Sequence, residues 1–158
     1  MRIDWEMFLS RLEKYPVGTH EILPACPKDR IQAIQVEYGQ MPSELVSMLR
    51  HFNGAQLFNK TCHMISIFPV STIPPLPPLR WSPAWQIENY TSRWRSCGSG
   101  RNEWAIAMMN YGGLILLDPA GNTKEWDTAE GNWIGRNLTL YDWIEDLFTQ
   151  GDKYLAEP

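Results

Sequence analysis

The sequence predicts an α+β fold: a mainly antiparallel sheet of about four to six strands, flanked by N-terminal helices and one C-terminal helix. Three observations carry this. Helical stripes occupy the first third of the chain and its last twenty residues. The middle changes to short apolar runs broken by turn residues. The strands succeed one another without helices between them, which a parallel α/β sheet would require.

The elements follow in order. The first helix has Asp4 as N-cap and Trp5, Phe8, Leu9 and Leu12 on one face. The second follows Pro27 as "KDRIQAIQVEY", with Ile31, Ile34 and Tyr38 as its stripe and Gly39 as its C-cap. The third places Pro42 at its first helical position, where a missing N–H costs nothing. Leu45, Met48, Leu49 and Phe52 form its buried face, and Asn53-Gly54 stops it. "HMISIFPV" is a strand. "EWAIAMMN", "LILLD" and "TKEWD" form a meander, joined at Tyr111-Gly112-Gly113 and at the type I turn Asp118-Pro119-Ala120-Gly121. A short strand holds Trp133 and Ile134. The final helix is capped by Thr139, with Asp142 three residues on. Its stripe is Leu140, Trp143, Ile144, Leu147 and Phe148, and Gly151 is expected to end it.

Residues 69–101 fit neither period. "PVSTIPPLPPLRW" is extended, because its prolines forbid helix and spoil ladders. The rest of the segment reads as a long surface connection with room for one strand around Trp94. The 158 residues are assigned to a single domain, 1–158, with 69–101 as an insertion or long connection.

Composition excludes several classes. Apolar residues are 44% and charged residues 20%, ordinary for a soluble globular protein. Three widely spaced cysteines, Cys26, Cys62 and Cys97, do not suggest a disulfide framework. The N-terminus carries early acids and lacks the apolar core of a signal peptide. No run approaches the roughly 20 apolar residues of a membrane span. A cytoplasmic location and no membrane partner are expected. Net charge is −4, unevenly spread: residues 1–117 hold nine acids and eleven bases, residues 118–158 nine acids and three bases. The acidic end disfavours nucleic acid and favours a basic partner. Eight tryptophans exceed what packing commonly demands, so some are assigned to an interface.

No motif carries catalysis. Of His20, His51 and His63, only His63 neighbours a second ligand type, Cys62, and adjacent residues rarely share an ion. No metal and no cofactor is expected. There is no GxSxG elbow. "SCGSGRNE" precedes a strand, not a helix N-terminus, and reads as a surface turn. Cys97 would be reactive only beside a base. The acids Asp118, Glu125, Asp127 and Glu130 read first as a solvated face, second as a docking patch and last as acid–base machinery. Pro75 to Arg80 matches PxxPxR, a pattern for SH3-type grooves, but fits a stiff linker better. Arg80, Arg93, Arg95 and Arg101 interleave with Trp81, Trp85, Tyr90 and Trp94. Burial ranks first for these aromatics, a protein interface second and single-stranded nucleic acid third.

The order of these features resembles the SUKH superfamily, the Smi/Knr-like proteins. Ile31 lies eleven residues before Pro42, Gly39 stands just before that proline, and the helix closes at Asn53-Gly54. Downstream, "WAIAMM", "YGG" with Gly113, "LILLDPAGNTKEWD" with Gly121 and "TLYDWIEDLF" follow in the family's order. The resemblance covers about residues 28–68 and 103–149; Met41 replaces the usual Leu, Glu37 sits late, and 69–101 does not match. It implies an α+β fold and no catalytic residues. Many bacterial members are immunity proteins that neutralise a toxin domain, often a nuclease; fungal relatives are signalling scaffolds. The leading expectation is a non-enzymatic immunity protein, a monomer or weak dimer, that binds a basic toxin domain. Its candidate contacts are Trp81, Trp85, Trp94, Arg93, Arg95, Asp118, Glu125, Asp127 and Glu130. The alternatives are a general interaction scaffold and, third, a small-molecule binder or enzyme with a site assembled in space.

Overall fold

The computed structural model of the chain describes residues 2–61, 64–72, 85–97 and 102–156. Cys62-His63, the PxxPxR stretch, Trp81 and residues 98–101 of the glycine-rich "SCGSGRNE" lie outside the described residues. The elements run α1 (Trp5–Leu12), β1 (Glu21–Ile22), α2 (Lys28–Tyr38), α3 (Ser43–His51), β2 (Ala55–Leu57), β3 (Ile65–Ile67), α4 (Ile87–Ser96), β4 (Trp104–Met109), β5 (Gly113–Leu117), β6 (Asn122–Asp127), β7 (Asn132–Thr139) and α5 (Leu140–Ala156). The α+β class holds. The described residues form one sheet of seven strands in the order β1 to β7, every neighbour antiparallel. The count exceeds the expected range because β1 and β2 have only two and three residues, too few to show alternation.

The caps are as the sequence implies. Asp4 Oδ1 accepts from the Met7 N–H at 3.0 Å. Thr139 Oγ1 accepts from the Asp142 N–H at 3.1 Å and donates to its carboxylate at 2.9 Å. Gly39 closes α2 with φ +101°. Pro42 is the N-cap of α3, one residue before its predicted place, and its carbonyl accepts from Leu45 and Val46. A proline serves there because φ is preset and the carbonyl alone is needed.

Asn53 and Gly54 do more than end α3. Asn53 is fully buried. Its amide donates to Val70 O at 2.9 Å and its Oδ1 accepts from Val70 N at 2.8 Å, replacing a missing ladder pair beyond β3. Gly54 has φ +92°, and a Cβ there would meet Ile67 O at 2.7 Å and Pro69 N at 2.8 Å. The pair therefore welds the helix end to the sheet.

Two expectations are corrected. The segment around Trp94 is not a strand but α4, with Ile87, Thr91 and Trp94 buried at helical spacing. The Thr91 hydroxyl accepts from the Ala105 N–H at 3.0 Å, fixing α4 on β4. Gly151 does not end α5, which continues to Ala156. A Cβ at Gly151 would fall inside the Phe58 ring, so the glycine is there for close approach. Phe58 is fully buried at φ +55°. Tyr15, His20 and Phe148 surround its ring, with centroids at 5.6, 4.8 and 6.4 Å.

Strand register defines two sheet faces. Ile115, Glu125 and Ile134 are successive partners across β5, β6 and β7 and share one face. Leu114, Trp126 and Trp133 are successive partners on the other. The core runs on between the sheet and the helices. Phe8, Phe52 and Phe148 bring α1, the end of α3 and α5 together, with Phe8 5.4 Å from Phe52 and 5.6 Å from Phe148.

Candidate binding surface

Between the outer strands and α5 lies an open cleft of about 310 Å³. Its apolar walls include Ile115 of β5, Ile134 and Leu138 of β7, and Leu147 of α5. Its polar lining residues are Tyr111, Thr123, Lys124, Glu125, Asp146 and Gln150. β7 is an edge strand with a register shift opposite β6 and Gly135 at φ +67°. The irregularity bends the edge and blunts it against uncontrolled strand pairing.

Glu125 comes from β6 and Tyr111 from the β4–β5 turn. The Tyr111 hydroxyl donates to Glu125 Oε1 at 2.5 Å. Gly113 makes the pair possible: a Cβ there would meet Glu125 Oε1 at 2.6 Å and Tyr111 Cε2 at 2.8 Å. The carboxylate and the phenol lie across a strand start that has no side chain. Partial burial raises the Glu125 carboxyl above the ordinary range; the Tyr111 hydrogen bond opposes that rise, and Asp127 and Asp146 add to it. The Tyr111 hydroxyl is also raised, by burial first and then by its bond to Glu125 and the charge there. The cleft therefore concentrates negative charge in partly desolvated surroundings, where a unit charge acts more strongly than in water.

Among the described side chains, the lysine next to Glu125 is turned away. Lys124 occupies the opposite face, its Nζ 3.8 Å from Glu103 and 5.7 Å from the Trp133 ring centre. Among the described residues the ion pairs are Arg11–Glu145, Arg30–Glu88 and Lys124–Glu103, so neither Glu125 nor Asp146 has a cationic partner there.

The other acids have local tasks. Asp118 Oδ1 accepts from Ala120 and Asn122, both at 2.9 Å, and holds the β5–β6 turn with Gly121 at φ +86°. Asp127 Oδ1 accepts from Ala129 at 2.9 Å and Glu130 at 3.0 Å, holding the β6–β7 turn. Glu130 is exposed at that turn. Each aspartate therefore closes a hairpin.

The aromatic and basic candidates separate from the acids. Trp94 is 6% exposed and packs on Trp126 and Trp133 at 5.4 and 5.6 Å, so burial describes it. Trp133 is 48% exposed, on the face away from the cleft. Trp85 is half-buried against the core. Arg95 lies 4.7 Å from the Trp104 ring centre and donates to Tyr38 O and Glu103 O, which makes it a bracket for α4. Arg93 is exposed beside Tyr90. The structure thus brings Glu125 and Asp127 to one face, and leaves Trp94, Arg93 and Arg95 on α4.

Tyr111 and Asp146 were not among the sequence candidates. The signal for Tyr111 was the glycine pair after it, which leaves an aromatic beside bare backbone. Asp146 follows Trp143 by three residues and so borders the buried stripe of α5.

Among the described residues no helix is long and apolar enough to cross a membrane. No group of three or more His, Cys, Asp or Glu among them is arranged to hold a metal ion. No family model and no curated protein matches the chain.

Proposed function

We propose that this chain is a non-catalytic protein-binding domain of the SUKH, immunity type. It captures a basic toxin domain and blocks it by occupying its surface. The observation that carries this is the cleft beside α5, where Glu125 and Asp146 stand together without a cationic partner among the described residues. A rim of that kind speeds encounter with a positively charged protein and selects against acidic ones. The acidic balance of residues 118–158 extends the same field over the β6–β7 hairpin and α5. The α+β architecture suits the resemblance seen in the Ile31–Gly54 stretch.

Co-expression with the toxic product of a neighbouring gene tests the proposal. Growth should be rescued, and the two proteins should purify as a complex whose association rate falls steeply with salt. Loss of both rescue and complex would refute it. Replacing Glu125, Asp127 and Asp146 together by their amides should slow association more than it speeds dissociation.

A further inference from the structure

We propose that the cleft takes an arginine side chain of the partner, its guanidinium on Glu125 at the rim shared with Asp146 and its methylene stem on Ile134 and Leu138. This rests on the binding function proposed above and names the group that is recognised.

Size comes first. About 310 Å³ is at the small end of ligand cavities, enough for one long side chain rather than a folded peptide. The lining comes second. Apolar walls with acids at the rim match a side chain whose stem is hydrocarbon and whose end is a cation. Charge comes third. Tyr111 takes one oxygen of Glu125 and leaves the other for an incoming donor. The nearest lysine, Lys124, points to the opposite face and is held by Glu103. Among the described side chains, none brings a positive charge to Glu125 or Asp146.

Arginine is favoured over lysine for two reasons. Its guanidinium is more weakly hydrated than an ammonium, so partial burial beside Ile134 and Leu138 costs less. It is also planar, and Tyr111, 54% exposed next to Glu125, offers a flat ring against which it can stack. Gly113 sets the depth of the seat, because any larger residue would push Tyr111 and Glu125 upward.

The test uses the full chain and three blocked amino-acid amides: arginine, lysine and uncharged citrulline. Backbone amide shifts are followed in a two-dimensional ¹H–¹⁵N spectrum. Arginine amide should shift Gly113, Glu125 and Gly135 saturably, lysine amide more weakly, and citrulline not at all. Glu125→Gln should weaken the arginine response at least about tenfold, the loss expected for a charge-assisted bond. Gly113→Ala, checked for unchanged secondary structure, should weaken it through geometry with every charge retained. Equal responses to lysine or citrulline would overturn the assignment, as would shifts centred elsewhere. The two proposals fail separately. Toxin rescue undiminished by Glu125→Gln refutes the arginine seat alone. An intact arginine response without any toxin complex refutes the immunity function alone.

Discussion

Replacing Gly151 by alanine separates two opposing effects with a clear sign. Gly151 lies inside α5, and a glycine-to-alanine change within a helix ordinarily stabilises by about 1 kcal/mol. Here the new methyl would enter the ring of Phe58. The ring has little room to yield. Its backbone is pinned at φ +55°, and Tyr15, His20 and Phe148 stand around it. Overpacking of a core typically costs about 1–3 kcal/mol, and a confined ring belongs at or beyond the upper end. The net expectation is a loss of about 2 kcal/mol, or about 4–8 °C in Tm for a chain of this length. Thermal and urea unfolding of Gly151→Ala against the parent measures it. A second background makes the test specific. With Phe58→Leu the ring is gone, and the added methyl should be neutral or favourable. The two changes should couple by about 1–3 kcal/mol. A raised Tm in the parent background, or the same loss in both backgrounds, would refute the steric argument.

Three further outcomes are expected. Asn53→Ala strands the N–H and C=O of Val70 in the interior and should cost about 1–3 kcal/mol by urea unfolding; a smaller loss would mean the clamp is dispensable. Thr139→Ala removes the cap of α5 and should cost about 1 kcal/mol, with Thr139→Ser close to the parent. His20 is held neutral: burial lowers its pKa from 6.5 to about 4, and its Nδ1 accepts from the Phe58 N–H. The unfolded chain binds this proton first as pH falls, so stability is full above the unfolded pKa and declines from about pH 6.5 toward 4. With the ring only half-buried, the discounted loss is about 1–2 kcal/mol, and His20→Gln should flatten this part of the pH profile of Tm.

What was legible in the sequence is what depends on neighbours in the chain. Asp4, Thr139 and the stripe of α5 announce themselves within one or two turns. The β4–β6 meander is likewise local, since its turns use Gly112 and Gly121 at positive φ. Helix α4 was hidden because the prolines before it dominate the window, and because Thr91, a polar residue, occupies the middle of its buried stripe. Its hydroxyl is satisfied by Ala105, a partner no local pattern contains. Gly151 misled for a related reason. Glycine as a stop is a local rule, whereas the ring that requires it comes from residue 58. The cleft was half legible. Glu125 stands out in an acidic run, but Tyr111 and Asp146 join it in the cleft from a turn and a helix.

The strict β1-to-β7 order has a consequence for how the chain can change length. Every strand pairs with the strand before it in sequence, so no connection has to pass over another hairpin. The link from Ile67 to Trp104 joins two adjacent strands and holds α4, anchored at Ser71 by Arg30 and Glu88 and at Ala105 by Thr91. In general, doubling the length of a connection adds only about 0.6 kcal/mol of closure entropy. Insertions ahead of α4 would leave the register of β3 on β4, and the cleft on the far strands, as they are. The link is therefore the place to graft a reporter or a second binding segment without disturbing the sheet.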